Sequence, residues 1–247
     1  MNVKLFNRPL VFASIFMERY VLSLALFYRA WAHWRLLMGY GEYEQRMREV
    51  FPLLEIFRQF TWSQLLFFSG LMLLIGRPVK VPPQAMKDLL VPIIVGWYNL
   101  LYDLIPSLPA EFNQPLYPPA WLLPCISVGL ALNILGFCIC IWAVVSLGRS
   151  FGLFIEVRTV VIRGAYRWVR HPIYFGYLFL MLGFAMENFN LAFCILLPIH
   201  IVLLLYRARL EEKRLAESSA EYREYQKRTG FIFPKFFKPR ASAGSND

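Results

Sequence analysis

From Trp121 to Leu147 the chain carries no charged side chain, and only Pro124 and Asn133 interrupt its apolar character. Such a run crosses about 30 Å of hydrocarbon as a helix. In lipid, only helices and closed barrels satisfy their own backbone. Composition extends the constraint to the whole chain. Of 247 residues, 58% are hydrophobic and 17% aromatic, against about 45–50% apolar in ordinary soluble domains. Mean hydropathy is +0.47, and the 17% of residues that are charged are bunched. The expected fold class is all-α integral membrane. It is a multi-span bundle of five or six crossings, ending in a helical hairpin and a cytoplasmic C-terminal helix.

The other apolar runs set the organisation. Pro9 to Tyr28 reads as a first helix, whose Glu18 and Arg19 are costly against lipid and so should face protein or water. Met38 to Gln59 is charged and interfacial, and Thr61 to Gly76 is a short uncharged run. Leu89 to Ile105 is a further span, followed by a proline-rich loop, Pro106 to Pro119, that contains no Lys or Arg. Ile173 to Met186 and Leu191 to Tyr206 are separated only by residues 187–190, which predicts an antiparallel hairpin. Glu211 to Arg228 continues as a charged helix with Leu215, Tyr222 and Tyr225 inward, and residues 231–237 form a basic aromatic segment suited to a membrane surface. The domains expected are N-terminal membrane helices over 1–120, a C-terminal core over 121–240, and a disordered tail over 241–247.

The net charge of +10 fits this plan better than it fits nucleic acid, because the cations flank apolar runs and cytoplasmic loops concentrate Lys and Arg. The expected partner is a lipid bilayer, with no nucleic acid. One segment fits poorly. Trp31 to Phe60 falls outside by alternation, yet it carries Arg35, Arg46, Arg48 and Arg58. Cys125, Cys138, Cys140 and Cys194 all lie in apolar runs and read as buried hydrophobes. His33, His171 and His200 are scattered, without the spacing of a metal site.

Two polar clusters flank the hairpin. Arg158 to Tyr174 contains Arg158, Arg163, Arg167, Arg170 and His171, and Arg207 to Glu212 reads Arg-Ala-Arg-Leu-Glu-Glu. A hairpin that begins and ends on one side brings these clusters together at the cytoplasmic face. Pro172 suits the first turn of a helix, His171 before it is pushed toward extended geometry, and the N–H groups near Ile173 and Tyr174 suit a carboxylate or phosphate. Arg207 and Glu211, four apart, share a helix face. Gly164-Ala-Tyr166 is a tight-turn candidate.

The order GAYRWVRHPIYFGY, apolar hairpin, RxxxEE and Glu221-Tyr222-x-x-Tyr225 resembles the isoprenylcysteine carboxyl methyltransferase family and its bacterial relatives. The wider superfamily includes phospholipid N-methyltransferases and NnrU-like thiol methyltransferases. The resemblance covers about Leu147 to Pro234. It implies S-adenosylmethionine as cofactor, held by Arg158, Thr159, Val160, Val161, Tyr166, His171, Pro172, Ile173, Tyr174, Glu211 and Glu212. Arg207 would orient the acceptor, and Arg207, His171 and Glu211 would form the catalytic set. Relatives that act on prenylcysteine carry a His-Lys pair where this chain has Arg158-Thr159. The acceptor implied is lipophilic or small and membrane-accessible, and the expected location is a bacterial inner membrane with the site on the cytoplasmic side. The alternatives are an NADPH-dependent sterol or polyprenyl reductase, which lacks the RxxxEE ending, and a non-catalytic membrane scaffold.

Overall fold

The computed structural model describes residues 15–38, 52–98, 101–102 and 104–235. The start of the first helix, most of the interfacial segment Met38 to Gln59, and the tail over 241–247 lie outside the described residues. Among the described residues the regular structure is helical, apart from two isolated bridges. A π-helical turn, Met17–Leu22, leads into α1, Ser23–Met38. It is followed by α2, Pro52–Leu74, and α3, Met86–Trp97. Then come α4, Leu122–Leu147, α5, Pro172–Glu187, α6, Leu191–Ser218, and α7, Ala220–Arg228.

Among the described residues, two helical stretches are long and apolar enough to cross a membrane, Pro119–Ser150 and Leu191–Ser218, and Ser63–Leu74 and Pro172–Glu187 are shorter apolar helices. The predicted spans over Trp121 to Leu147 and Leu191 to Tyr206 thus appear as helices. The charged helix expected from Glu211 does not begin there. α6 runs unbroken to Ser218, and the chain turns at Ser219, whose side chain accepts from the Tyr222 N–H to cap α7. No glycine or proline interrupts residues 206–218, so nothing stops the helix at the membrane edge. Tyr222 and Tyr225 are buried, as expected, whereas Leu215 is half-buried.

Glycines decide which helices meet. A Cβ on Gly183 would stand 2.6 Å from the Gly129 carbonyl, and one on Gly176 would stand 2.8 Å from the Gly136 carbonyl. Gly129 and Gly136 on α4, with Gly183 and Gly176 on antiparallel α5, therefore bring the two backbones into direct contact, the usual way of packing helices in lipid. Between these rungs, buried Asn133 donates to Glu187 Oε1 at 2.6 Å. The hairpin of α5 and α6 exists as a chain turn, with Asn190 accepting from the Phe193 N–H at 2.8 Å. The tightest partner of α5 is nevertheless α4. α6 leans on α3, where Tyr98 donates to the Leu196 carbonyl at 3.1 Å and the His200 ring lies tilted at 38° against Tyr98, 4.4 Å between centroids.

Consecutive helices alternate in direction, which gathers Glu18, Gly76, Asp88, the 148–171 loop and the end of α6 at one end of the bundle. At the opposite end the proline loop meets the α5–α6 turn, Tyr117 donating to the Glu187 carbonyl at 3.1 Å and Leu116 N–H to the Phe189 carbonyl at 2.7 Å. Pro92 inside α3 has no N–H for the Asp88 carbonyl, so the Ile155 N–H takes it at 3.1 Å. Val81 pairs with Val157 in an antiparallel bridge that straps the α2–α3 connection to the same loop.

Candidate active site

The loop between α4 and α5 is shaped first by its glycines. Gly164 has φ of +60°, and a Cβ there would meet Ser146 Oγ at 2.3 Å, so the turn needs both the left-handed conformation and the missing side chain. Ser146 Oγ accepts from the Ala165 N–H at 3.2 Å and docks the turn on the end of α4. Helix α5 then starts at Pro172 as expected. His171 takes φ of −124° and ψ of 63°, outside the helical region but short of fully extended. Its N–H is drawn instead to the Phe231 carbonyl at 3.1 Å.

The two clusters that the sequence places apart do meet. Glu211 Oε1 accepts from the Tyr174 hydroxyl at 2.6 Å and from Arg207 Nε at 2.9 Å. The Arg207 guanidinium lies 5.7 Å from the Tyr174 ring centroid, and its Nη2 donates to the Leu153 carbonyl at 2.7 Å. His171 stacks on Tyr174 at 5.2 Å with 7° between the rings. Its Nδ1 lies 3.8 Å from Glu211 Oε2 and its Nε2 lies 3.4 Å from Glu212 Oε1. That Nε2 is buried and makes no aligned hydrogen bond. Glu212 is held by Arg170, through Nε to Oε1 and through Nη2 to Oε2 at 3.2 Å. Arg170 also donates to the carbonyls of Gln226 and Thr229, which ties α7 to the site.

Tyr166 is half-buried, and its carbonyl accepts from the Tyr225 hydroxyl. Burial, reinforced by the nearby Glu211 carboxylate, raises its phenol well above the ordinary tyrosine value. Pro172 and Ile173 follow His171 directly, and Ile173 lines the cavity described below. Thr159, Val160 and Val161 are half-buried farther back on the same loop.

Arg158 is placed differently from the rest. All three of its guanidinium nitrogens are committed to the chain: Nε to Glu156 Oε1 at 2.5 Å, Nη1 to the Arg77 carbonyl at 3.1 Å, and Nη2 to Glu18 Oε2 at 2.6 Å. Two carboxylates thus share one cation. Burial, then the Glu18 charge, push Glu156 up to about 8 despite Arg158. Glu18 also accepts the N–H groups of Leu153 and Phe154. It faces protein, as its cost against lipid required.

Beside this network lies a cavity of about 220 Å³, with Arg207 and Tyr174 in its wall. Arg29 of α1 and Ser69 of α2 also line it, and the rest is apolar: Leu22 of the π-helical turn, Leu26 of α1, Leu65 of α2, Ile93 of α3, Val144 of α4, Leu204 of α6, and Leu153 and Phe154 of the loop. The sequence did not show this half of the site, it put Arg170 in the arginine cluster without foreseeing its hold on Glu212, and it gave no site role to Glu18 or to Phe231, whose ring stands edge-on to His171 at 5.0 Å. Phe231 had read as part of a membrane-surface segment. Arg170 carried a signal in its place beside His171 in the arginine cluster, and Glu18 in being an acid inside an apolar run; Phe231 carried none.

Residues 129–217 match the isoprenylcysteine carboxyl methyltransferase (ICMT) family. The chain is also 31% identical over 124 residues to the protein-S-isoprenylcysteine O-methyltransferase of Saccharomyces cerevisiae, a match covering 44% of this chain and 49% of that one. It therefore spans about half the length of that relative. The matched segment contains α5, most of α4 and α6, and the loop that carries His171, so the fold and the polar cluster coincide with the likeness. In its C-terminal half the chain is isoprenylcysteine carboxyl methyltransferase-like.

Proposed function

We propose that the protein is an integral membrane methyltransferase that takes S-adenosylmethionine at the polar cluster and methylates a lipophilic acceptor lying in the apolar cavity. The observation that carries this reading is the shared wall: Arg207 and Tyr174 belong both to the buried ionic network and to the greasy cavity. A polar donor and an apolar acceptor can thus meet without either crossing the other's medium.

The residues present fit the cofactor. His171 Nε2 is a buried polar atom without a hydrogen-bond partner, and Glu211, the most exposed carboxylate of the set, offers Oε2 to a cationic amine. His171, Tyr174, Glu211 and Glu212 would hold the group, with Tyr166 and the Thr159 to Val161 backbone beside them. Bound there, S-adenosylmethionine supplies an electrophilic methyl on a sulfonium whose positive charge is lost on transfer. The chain's own part is positioning and exclusion of water. Arg207, fixed by Glu211 and Leu153, presents a cation toward the cavity, which suits an acceptor with a carboxylate at its polar end. This matches the substrate that the yeast relative's name states, a protein S-isoprenylcysteine. The cationic loops support a site at the cytoplasmic face.

The test is ligand-dependent unfolding of the detergent-purified protein. S-adenosylhomocysteine at about 100 times its Kd should add about 2.7 kcal/mol of stability, and NADPH none. Stabilisation by NADPH alone would transfer the reading to a reductase.

A further inference from the structure

Glu18 stands on the π-helical turn before α1, outside the segment that matches the methyltransferase family, and its side chain is 1% exposed. A buried acid at the start of a membrane helix is costly unless fully engaged. Here both oxygens are: Oε1 accepts from the N–H groups of Leu153 and Phe154, and Oε2 from Arg158 at 2.6 Å. On the far side of residue 153, the carbonyl accepts from Arg207 Nη2 at 2.7 Å. One residue therefore joins the Glu18 carboxylate to the Arg207 guanidinium. The same two loop residues, Leu153 and Phe154, wall the cavity beneath Arg207.

We propose that Glu18 is a positioning residue for Arg207, acting through Leu153, so that the N-terminal helix sets the direction in which the guanidinium meets the acceptor. The inference rests on the methyltransferase reading for its catalytic meaning, but the mechanical link stands apart from it. Arg207 has two fixed partners, Glu211 on its own helix and the Leu153 carbonyl. The i,i+4 partner restrains it along α6, and the Leu153 carbonyl sets how far it leans toward the loop. Without Glu18, the amides of Leu153 and Phe154 and one nitrogen of Arg158 lose their acceptor together, and the nearest tether left to the Leu153 carbonyl on the loop is the Ile155 N–H bond to the Asp88 carbonyl.

The experiment reads Arg207 directly. In detergent-purified protein, phenylglyoxal labelling of Arg207, quantified by peptide mass spectrometry, should rise about tenfold in Glu18→Ala, the scale of a lost hydrogen bond to a charged group. Labelling of Arg170, held by Glu212, should stay at the parent level. Glu18→Gln keeps an acceptor for the two amides but loses the ion pair, and should give a rise of about threefold, which decides the matter if Glu18→Ala does not fold. Glu156→Gln leaves the Leu153 link intact and should not change Arg207 labelling. Parent-level labelling in folded Glu18→Ala or in Glu18→Gln would overturn the proposal, as would equal rises in Glu18→Ala and Glu156→Gln. In methyl-transfer assays with N-acetyl-S-farnesylcysteine, Glu18→Ala should raise the acceptor KM while stabilisation by S-adenosylhomocysteine is kept; loss of both would mark a merely structural role. If the parent transfers no methyl group, the functional reading fails while the labelling still decides the link.

Discussion

Glu211 is where the two halves of the site touch, since one of its oxygens takes both the Tyr174 hydroxyl and Arg207. Removing it should separate the roles assigned here. Glu211→Ala is expected to abolish stabilisation by S-adenosylhomocysteine. Arg207→Ala should keep that stabilisation while raising the acceptor KM by at least about tenfold, as truncating a buried charge pair does. Equal ligand responses in both variants would show the roles misassigned. Glu156 gives a pH test. Its folded value of about 8 lies above the ordinary 4.5, so its contribution to stability is fully present below about pH 4.5 and is lost as pH rises toward 8. The groups facing it are Glu18 and Arg158. Glu156→Gln mimics the protonated acid and should flatten the pH dependence. Between pH 5 and 8 the parent Tm should fall relative to the variant, each 1 kcal/mol being about 2–4 °C in a chain of this size. Parallel curves would mean Glu156 ionises as an exposed acid does. At this scale the sequence named Arg207, His171, Tyr174 and Glu211, because their spacing is local to two short segments. It flagged Glu18 only as costly and could not name its partners, which lie 135 and more residues away.

Helix pairing turns on small residues. Gly183→Leu should drive a side chain into the Gly129 carbonyl and Asn133, and overpacking of this kind costs about 1–3 kcal/mol. Gly96→Ala, where a Cβ meets nothing within 4 Å, is the control and should leave Tm unchanged or slightly raised. Thermal unfolding of the two variants side by side checks the pairing, and equal Tm values would argue against close contact between α4 and α5. The sequence predicted the helices from hydrophobicity and length, and the short break after Glu187 predicted that α5 and α6 are connected. It did not predict that α5 packs hardest on α4. Chain proximity is read from loop length, whereas packing preference lies in which glycines share a face and a height.

Over the whole molecule, the polar cluster, the 148–171 loop and α7 gather at one end, and the proline loop and the α5–α6 turn at the other. A cysteine placed at Ile162 and one at Phe189 should accordingly react with an impermeant maleimide from opposite sides of sealed membranes, Ile162→Cys from the cytoplasm. Reaction of both from one side would contradict the alternation of helices. By itself the amino-acid sequence pointed to a helical membrane protein and to the meeting of Arg158 to Tyr174 with Arg207 to Glu212. Each of these follows from short-range pattern, because solvation by lipid and the cost of stranded charge act on every segment independently. Only the tertiary structure decided that Glu18 bolts the loop through Leu153 and Arg158, and that α1, α2 and α3 close an apolar cavity over Arg207. A cavity is the space left between elements from distant parts of the chain, and no single segment encodes its walls.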